Sequence, residues 1–161
     1  MKTLIAYASN NSTTEKCAKI LAEKLPGAQT VNLSKNKENI SDYDTIIIGS
    51  CIRFNNIHST VIDFIRDNLD VLMKKNTAIY LCCGFPEKAN QYLLHNFPKK
   101  LLNKCFSIQC FGGNLKVKPY KIYDMLIMKT VQKNFRLEKR EYTDIDLDRI
   151  QEMVDEILKL K

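Results

Sequence analysis

A chain of 161 residues, 45% hydrophobic and 27% charged, is long enough for one domain with a sizeable core and too apolar for a disordered segment. It has no 18-residue apolar run, and its start, MKTLIAYASNN, lacks the long apolar stretch of a secretory leader, so a cytoplasmic protein is expected. The net charge of +7 is uneven: residues 99–140 hold nine Lys and two Arg against Asp124 and Glu138, or +9, leaving −2 elsewhere.

A basic stretch of that kind suits anionic partners such as nucleic acid, acidic lipid or a carboxylate-bearing substrate, or simply a solvated surface. The six cysteines (17, 51, 82, 83, 105 and 110) form no CxxC pair and mostly sit inside apolar runs. They read as reduced, buried small hydrophobes, and no metal site is expected.

Along the chain, short apolar runs alternate with helix-period segments. KTLIAYA (2–8) is a continuous β-prone run, as strands buried on both faces are. Cys17, Ile20, Leu21 and Leu25 then form a helical stripe over 13–24 that stops at Pro26-Gly27. AQTVNL (28–33) predicts a second strand, followed by a polar connection. YDTIIIGS (43–50) predicts the strongest strand of the chain.

A helix is predicted over 58–73, a strand at TAIYLCCG (77–84), a helix near 87–95 and a strand at KCFSIQCFGG (104–113). The last segment places Ile150, Met153, Val154, Ile157 and Leu158 on one helical face, with Asp144 as its N-cap. Such alternation implies α/β architecture: one doubly wound, five-stranded parallel sheet of order 2-1-3-4-5 with helices on both faces. Ligands of that architecture sit beyond the carboxyl ends of the strands, where the order reverses. The expected site therefore draws on residues 9–14, 50–57 and 83–88.

The first of these stretches, SNNSTTE, carries six small hydrogen-bonding residues in succession: Ser9, Asn10, Asn11, Ser12, Thr13 and Thr14. Ser12-Thr13-Thr14-Glu15 matches a capping box, but a cap needs only one or two such groups. Unpaired N–H groups at a helix start favour a phosphate, whose remaining hydrogen bonds hydroxyls and amides can complete. The chain has neither the GxGxxG of a dinucleotide fold nor the GxxxxGK of a P-loop. It also lacks the acidic cluster of a receiver domain and the Cys and Arg of a small tyrosine phosphatase.

On these residues the chain resembles the flavodoxin-like family, whose phosphate loop is a run of Ser and Thr leading to Thr-Glu. GSCIRFNNIHSTVIDFI is similar to the SIRYG…H segment of the menaquinone-dependent protoporphyrinogen dehydrogenase group. FGGNLKVKPYKIYDMLIMKTV and the later REYTDID match further stretches of that group. The resemblance implies a single flavodoxin-like domain over 1–161 that binds FMN. Residues 9–14 would hold the phosphate, while Ser50, Cys51, Ile52, Arg53, Phe54 and Asn55, with Cys83, Gly84 and Phe85, would line the isoalloxazine.

Phe54 and Phe85 are the stacking candidates, and Arg53 is a cation for the reduced ring. Cys51, Cys82 and Cys83 read as packing, His58 as a helix start, and no catalytic residue is assigned. Two positions depart from the family pattern: Ser12 and Asn55 stand where it has glycine, which implies altered cofactor affinity.

Residues 112–142 form a basic helical insertion that a minimal flavodoxin lacks. Its Tyr120, Tyr123, Leu126, Ile127 and Val131 fall at helical spacing. It suits an ordinary docked helix, a cover over a substrate groove, or peripheral contact with an anionic membrane through 116–140. The resemblance implies an oxidoreductase passing electrons from an anionic tetrapyrrole through FMN to a quinone. Alternatives are an electron carrier acting with a protein redox partner and a flavin-free interaction module. No nucleic acid is expected.

Overall fold

The computed structural model describes residues 1–9, 12–113 and 145–160. The apolar runs become strands β1 (Thr3–Ala8), β2 (Gln29–Asn32), β3 (Thr45–Cys51), β4 (Asn76–Cys82) and β5 (Ser107–Cys110). Helices α1 (Ser12–Lys24), α2 (Ser59–Leu72), α3 (Ala89–Asn96), α4 (Lys99–Lys104) and α5 (Leu147–Leu158) accompany them. The strands form one sheet of order β2-β1-β3-β4-β5, parallel throughout. That is the expected doubly wound order.

The pleat divides the core, because successive side chains of a strand point to opposite faces. Leu4, Ala6, Ile46, Ile48, Ile79 and Leu81 face one way and meet Val61, Phe64 and Ile65 of α2, Leu93 of α3 and Leu101 of α4. Ile5, Tyr7, Ile47, Ala78 and Tyr80 face the other and meet Cys17 and Leu21 of α1 and Ile150, Met153, Val154 and Ile157 of α5. The three isoleucines of β3 need no polar alternation, since both faces of that strand are covered.

Three local outcomes refine the sequence reading. The single helix expected near 87–95 is followed by a second short one, because Pro98 cannot continue α3 but serves as the N-cap residue of α4. Gly27, at φ +76°, closes α1 in the left-handed conformation its neighbours would resist. The last helix starts at Leu147 with Asp146, not Asp144, as its N-cap: Arg149 N–H donates to Asp146 Oδ1 at 3.1 Å. Asp146 N–H also donates to the Phe111 carbonyl at 2.9 Å, which ties the start of α5 to the end of β5.

The expected helical insertion lies outside the described residues from position 114 on, as does Asp144. Among the described residues no helix is long and apolar enough to cross a membrane.

Candidate functional site

The reversal of strand order falls at β1, which has β2 on one side and β3 on the other. Three connections leave the carboxyl ends of neighbouring strands there: β1 to α1, β3 to α2, and β4 to α3. Between β1 and α1, Asn10, Asn11 and the side chain of Ser12 lie outside the described residues, while Ser9 and Thr13 are half-buried.

Thr14 is fully buried, and its hydroxyl has no hydrogen-bond partner among the described residues. It sits beside the Cys82 thiol, and its carbonyl accepts from Tyr80 Oη at 3.0 Å. The Thr14 backbone N–H lies in the first turn of α1.

After β3 the chain folds into a hairpin turn. Arg53 N–H donates to the Asn56 carbonyl at 2.9 Å and Asn56 N–H to the Arg53 carbonyl at 3.0 Å. The two central residues, Phe54 and Asn55, have φ values of +49° and +65°. Both signs are positive, as a type I′ turn requires. Asn tolerates this region, so Asn55 meets the backbone demand that a glycine would meet there. Phenylalanine does not, and its side chain is 48% exposed. A large aromatic ring is thus held in solvent on a strained backbone, with the Arg53 guanidinium 5.6 Å from the ring centroid.

Ser50 and His58 close the base of this loop. Ser50 is buried; its hydroxyl donates to the Cys51 carbonyl at 3.1 Å and accepts from His58 N–H at 3.0 Å. His58 caps α2, its Nδ1 accepting from Thr60 N–H at 3.3 Å. Burial lowers the His58 pKa, which keeps the ring neutral near pH 7 with its proton on Nε2. A cavity of about 230 Å³ opens between Arg53, Phe54, His58 and Ser59.

Sequence reasoning missed Asn96, at the end of α3. Its Oδ1 accepts from Ile57 N–H at 3.0 Å, and its Nδ2 donates to the carbonyls of Asn55 and Tyr92, both at 2.8 Å. One amide therefore pins the 53–57 turn to α3. Nothing local signals the clamp, because its partners in the turn, Ile57 and Asn55, lie 39 and 41 positions away. Asn96→Ala leaves the N–H of buried Ile57 unpaired and is expected to cost about 1–3 kcal/mol in chemical denaturation. Asn96→Asp, which keeps the acceptor, should fall between the two; equal stability of all three proteins would contradict the clamp.

The third connection carries Cys83, Gly84 and Phe85. Cys83 is buried, its N–H donates to the Gly112 carbonyl at 2.9 Å, and Phe85 is half-buried beneath Lys88 Nζ at 5.1 Å. Beside it, a cleft of about 650 Å³ runs between α3, β5 and the start of α5, lined by Pro86, Asn90, Gln109, Cys110, Asp146 and Arg149 among others. The structure thus brings residues 50–55 and 83–85 to neighbouring strand ends beside Ser9 and Thr13. Cys51, Cys83 and Ser50 are packed inward, and Arg53, Phe54, Asn55, Gly84 and Phe85 reach the surface to differing degrees. Exposed His95 stands apart on α3.

Comparison with known proteins agrees with this architecture. A protoporphyrinogen IX dehydrogenase [quinone] of Escherichia coli strain K12 is 28% identical over 147 residues, covering 83% of this chain and 80% of that protein. An uncharacterized protein of Methanocaldococcus jannaschii is 36% identical over 108 residues, covering 65% of each chain. Among solved structures, a short-chain flavodoxin associated with a bacterial microcompartment superposes with a TM-score of 0.62 at 13% identity, over 99% of this chain and 98% of its own. A Fusobacterium nucleatum flavodoxin bound to flavin mononucleotide gives 0.54 at 14% identity, with coverage of 99% and 98%. The model of the flavodoxin domain matches residues 4–143. With the sheet order already in place, that match shows that the chain belongs to the flavodoxin family.

Proposed function

We propose that the three loops bind FMN and that the protein is an oxidoreductase taking electrons from a reduced tetrapyrrole and passing them to a quinone. The observation that carries the cofactor reading is the Arg53–Asn56 turn, where strain holds Phe54 exposed at the strand-order reversal. The donor set fits as well. The N-terminus of the 13-residue α1, preceded by Ser9 and entered through Thr13, offers main-chain N–H groups and hydroxyls to a phosphate without a charged side chain.

In this reading residues 9–14 hold the phosphate, Thr14 through its backbone. Residues 50–55 and 83–85 border the ring, with Phe54 and Phe85 as aromatic walls. Bound FMN supplies the hydride and one-electron chemistry. Arg53 sets a fixed positive charge beside the Phe54 ring, which favours negative charge developing nearby. Asn96 and Ser50 hold the turn in place, and neutral His58 presents Nε2–H at its base.

The tetrapyrrole assignment draws on the similarity to the Escherichia coli dehydrogenase and on charge. The propionates of such a substrate complement the +9 carried by residues 99–140. The same basic stretch, through 116–140, would rest on an anionic membrane surface where quinones reside. A sequence pI near 9.1 fits this reading better than that of a carrier docking on basic partners.

The test has two stages. Titrating the protein with FMN should perturb the visible flavin bands in a saturable way. Adding protoporphyrinogen IX and a menaquinone analogue should then form porphyrin only in the FMN-loaded sample. An unperturbed spectrum would overturn the cofactor reading and favour the interaction module. Flavin binding without porphyrin formation would leave an electron carrier.

A further inference from the structure

The sequence reads Cys83 as packing, but the fold sets it against a second thiol. Cys83 ends the buried part of the β4 connection, and Cys110 is the last residue of β5, paired in register with Leu81. Both side chains project from the same face of the sheet, and their Sγ atoms lie 3.1 Å apart. The other cysteine pair of the core, Cys17 and Cys82, stands at 3.7 Å, and both of its members are buried. The surroundings of Cys83 and Cys110 are unequal. Cys83 is 4% exposed, whereas Cys110 is half-buried and borders the cleft between α3 and α5.

We propose that Cys83 and Cys110 form a redox-active dithiol that low-molecular-weight disulfides oxidise to an internal disulfide, with Cys110 attacking and Cys83 resolving. The attacking thiol must be the one that reaches solvent and ionises more easily. Cys110 meets both conditions. Its hydrogen bond with the Cys83 thiol and the main-chain N–H groups of Gly112 and Cys83 draw its pKa below the ordinary thiol value, while that of Cys83 is raised.

The Cys110 thiolate attacks one sulfur of R–S–S–R; that S–S bond breaks, and the departing thiolate takes a proton to give RSH. Cys83 then releases its proton to solvent and attacks the Cys110 sulfur, expelling the second RSH. The net change is two protein thiols oxidised and one external disulfide reduced to two thiols. Closing the pair needs the sulfurs to move from 3.1 Å to the bonded distance of about 2.05 Å. The new bond ties the first residue of the 83–85 connection to β5. Reversible bonds of this type are the kind found in reducing compartments.

Cys105 is the internal control. It is also half-buried, but burial pushes its thiol up to about 12, and Lys104 offsets this only in part. The reduced full-length protein, without added flavin, is exposed to glutathione disulfide at neutral pH and mapped by peptide mass spectrometry. The expected product links the Cys83 and Cys110 peptides, lowers the thiol titre in denaturant by two and reverts with dithiothreitol. Iodoacetamide should modify Cys110 at least about tenfold faster than Cys105. Cys83→Ser should trap glutathione on Cys110 as a lasting mixed disulfide. Modification of Cys105 ahead of Cys110, a bond between any other pair, or persistence of all six thiols would overturn the proposal.

Discussion

Replacing Gly49 by alanine is expected to cost at least about 3 kcal/mol, and so to lower the melting temperature by about 6–12 °C. A Cβ at this position would be built inside the ring of Tyr80, against Cζ, Oη and Cε1. That ring has nowhere to go. Tyr80 is fully buried, stacks on Phe111 with centroids 4.9 Å apart, and donates from Oη to the Thr14 carbonyl at 3.0 Å. Moving it would break the tie between β4 and the first turn of α1 and leave a buried hydroxyl unpaired.

A double-mutant cycle separates this clash from a general dislike of alanine in β3. Tyr80→Leu alone loses aromatic packing and the hydrogen bond. Combined with Gly49→Ala it should cost clearly less than the sum, with a coupling of about 1–3 kcal/mol. Urea denaturation of the four proteins measures it. Additive effects, or a Gly49→Ala protein as stable as its parent, would refute the close approach.

Phe54→Asn should move stability and cofactor affinity in opposite directions. Asparagine adopts left-handed backbone readily, so relief of strain at φ +49° should stabilise the protein by about 0.5–1 kcal/mol after loss of the weak Arg53 cation–π contact. On the proposed reading, in which Phe54 borders the flavin, FMN affinity should fall by about tenfold or more, because a stacking surface worth about 1.4 kcal/mol is removed. Thermal melting of the apoprotein and fluorescence titration with FMN read the two effects separately. A variant that is less stable, or that binds FMN as tightly, would show that the strained phenylalanine serves some other end.

How much of this was legible beforehand follows from the range of the interactions involved. The five strands, the sheet order and the helical faces of α1, α2 and α5 are written in local periodicity: apolar runs for strands covered on both sides, and i, i+3, i+4 stripes for helices covered on one. That the loops after β1, β3 and β4 meet follows from topology, because parallel strands place their outgoing loops together at one end. His58 as a helix start also follows from intrinsic backbone preferences. The cap of α5 slipped by two residues, since Asp144 and Asp146 are equally good caps locally and the hydrogen bond from Asp146 N–H to Phe111 decides between them.

What the sequence by itself determined about this protein is therefore its set of elements, their order in the sheet and the three loops that meet at its carboxyl edge. Tertiary structure alone decided that Thr14 turns its hydroxyl into the core, that Asn96 holds a turn 39 positions away, that Tyr80 occupies the space Gly49 leaves, and that Cys83 meets Cys110. The reason is physical: propensity and periodicity act over a few residues. These contacts join groups far apart in the chain, and only the packing of strands and helices brings them within reach.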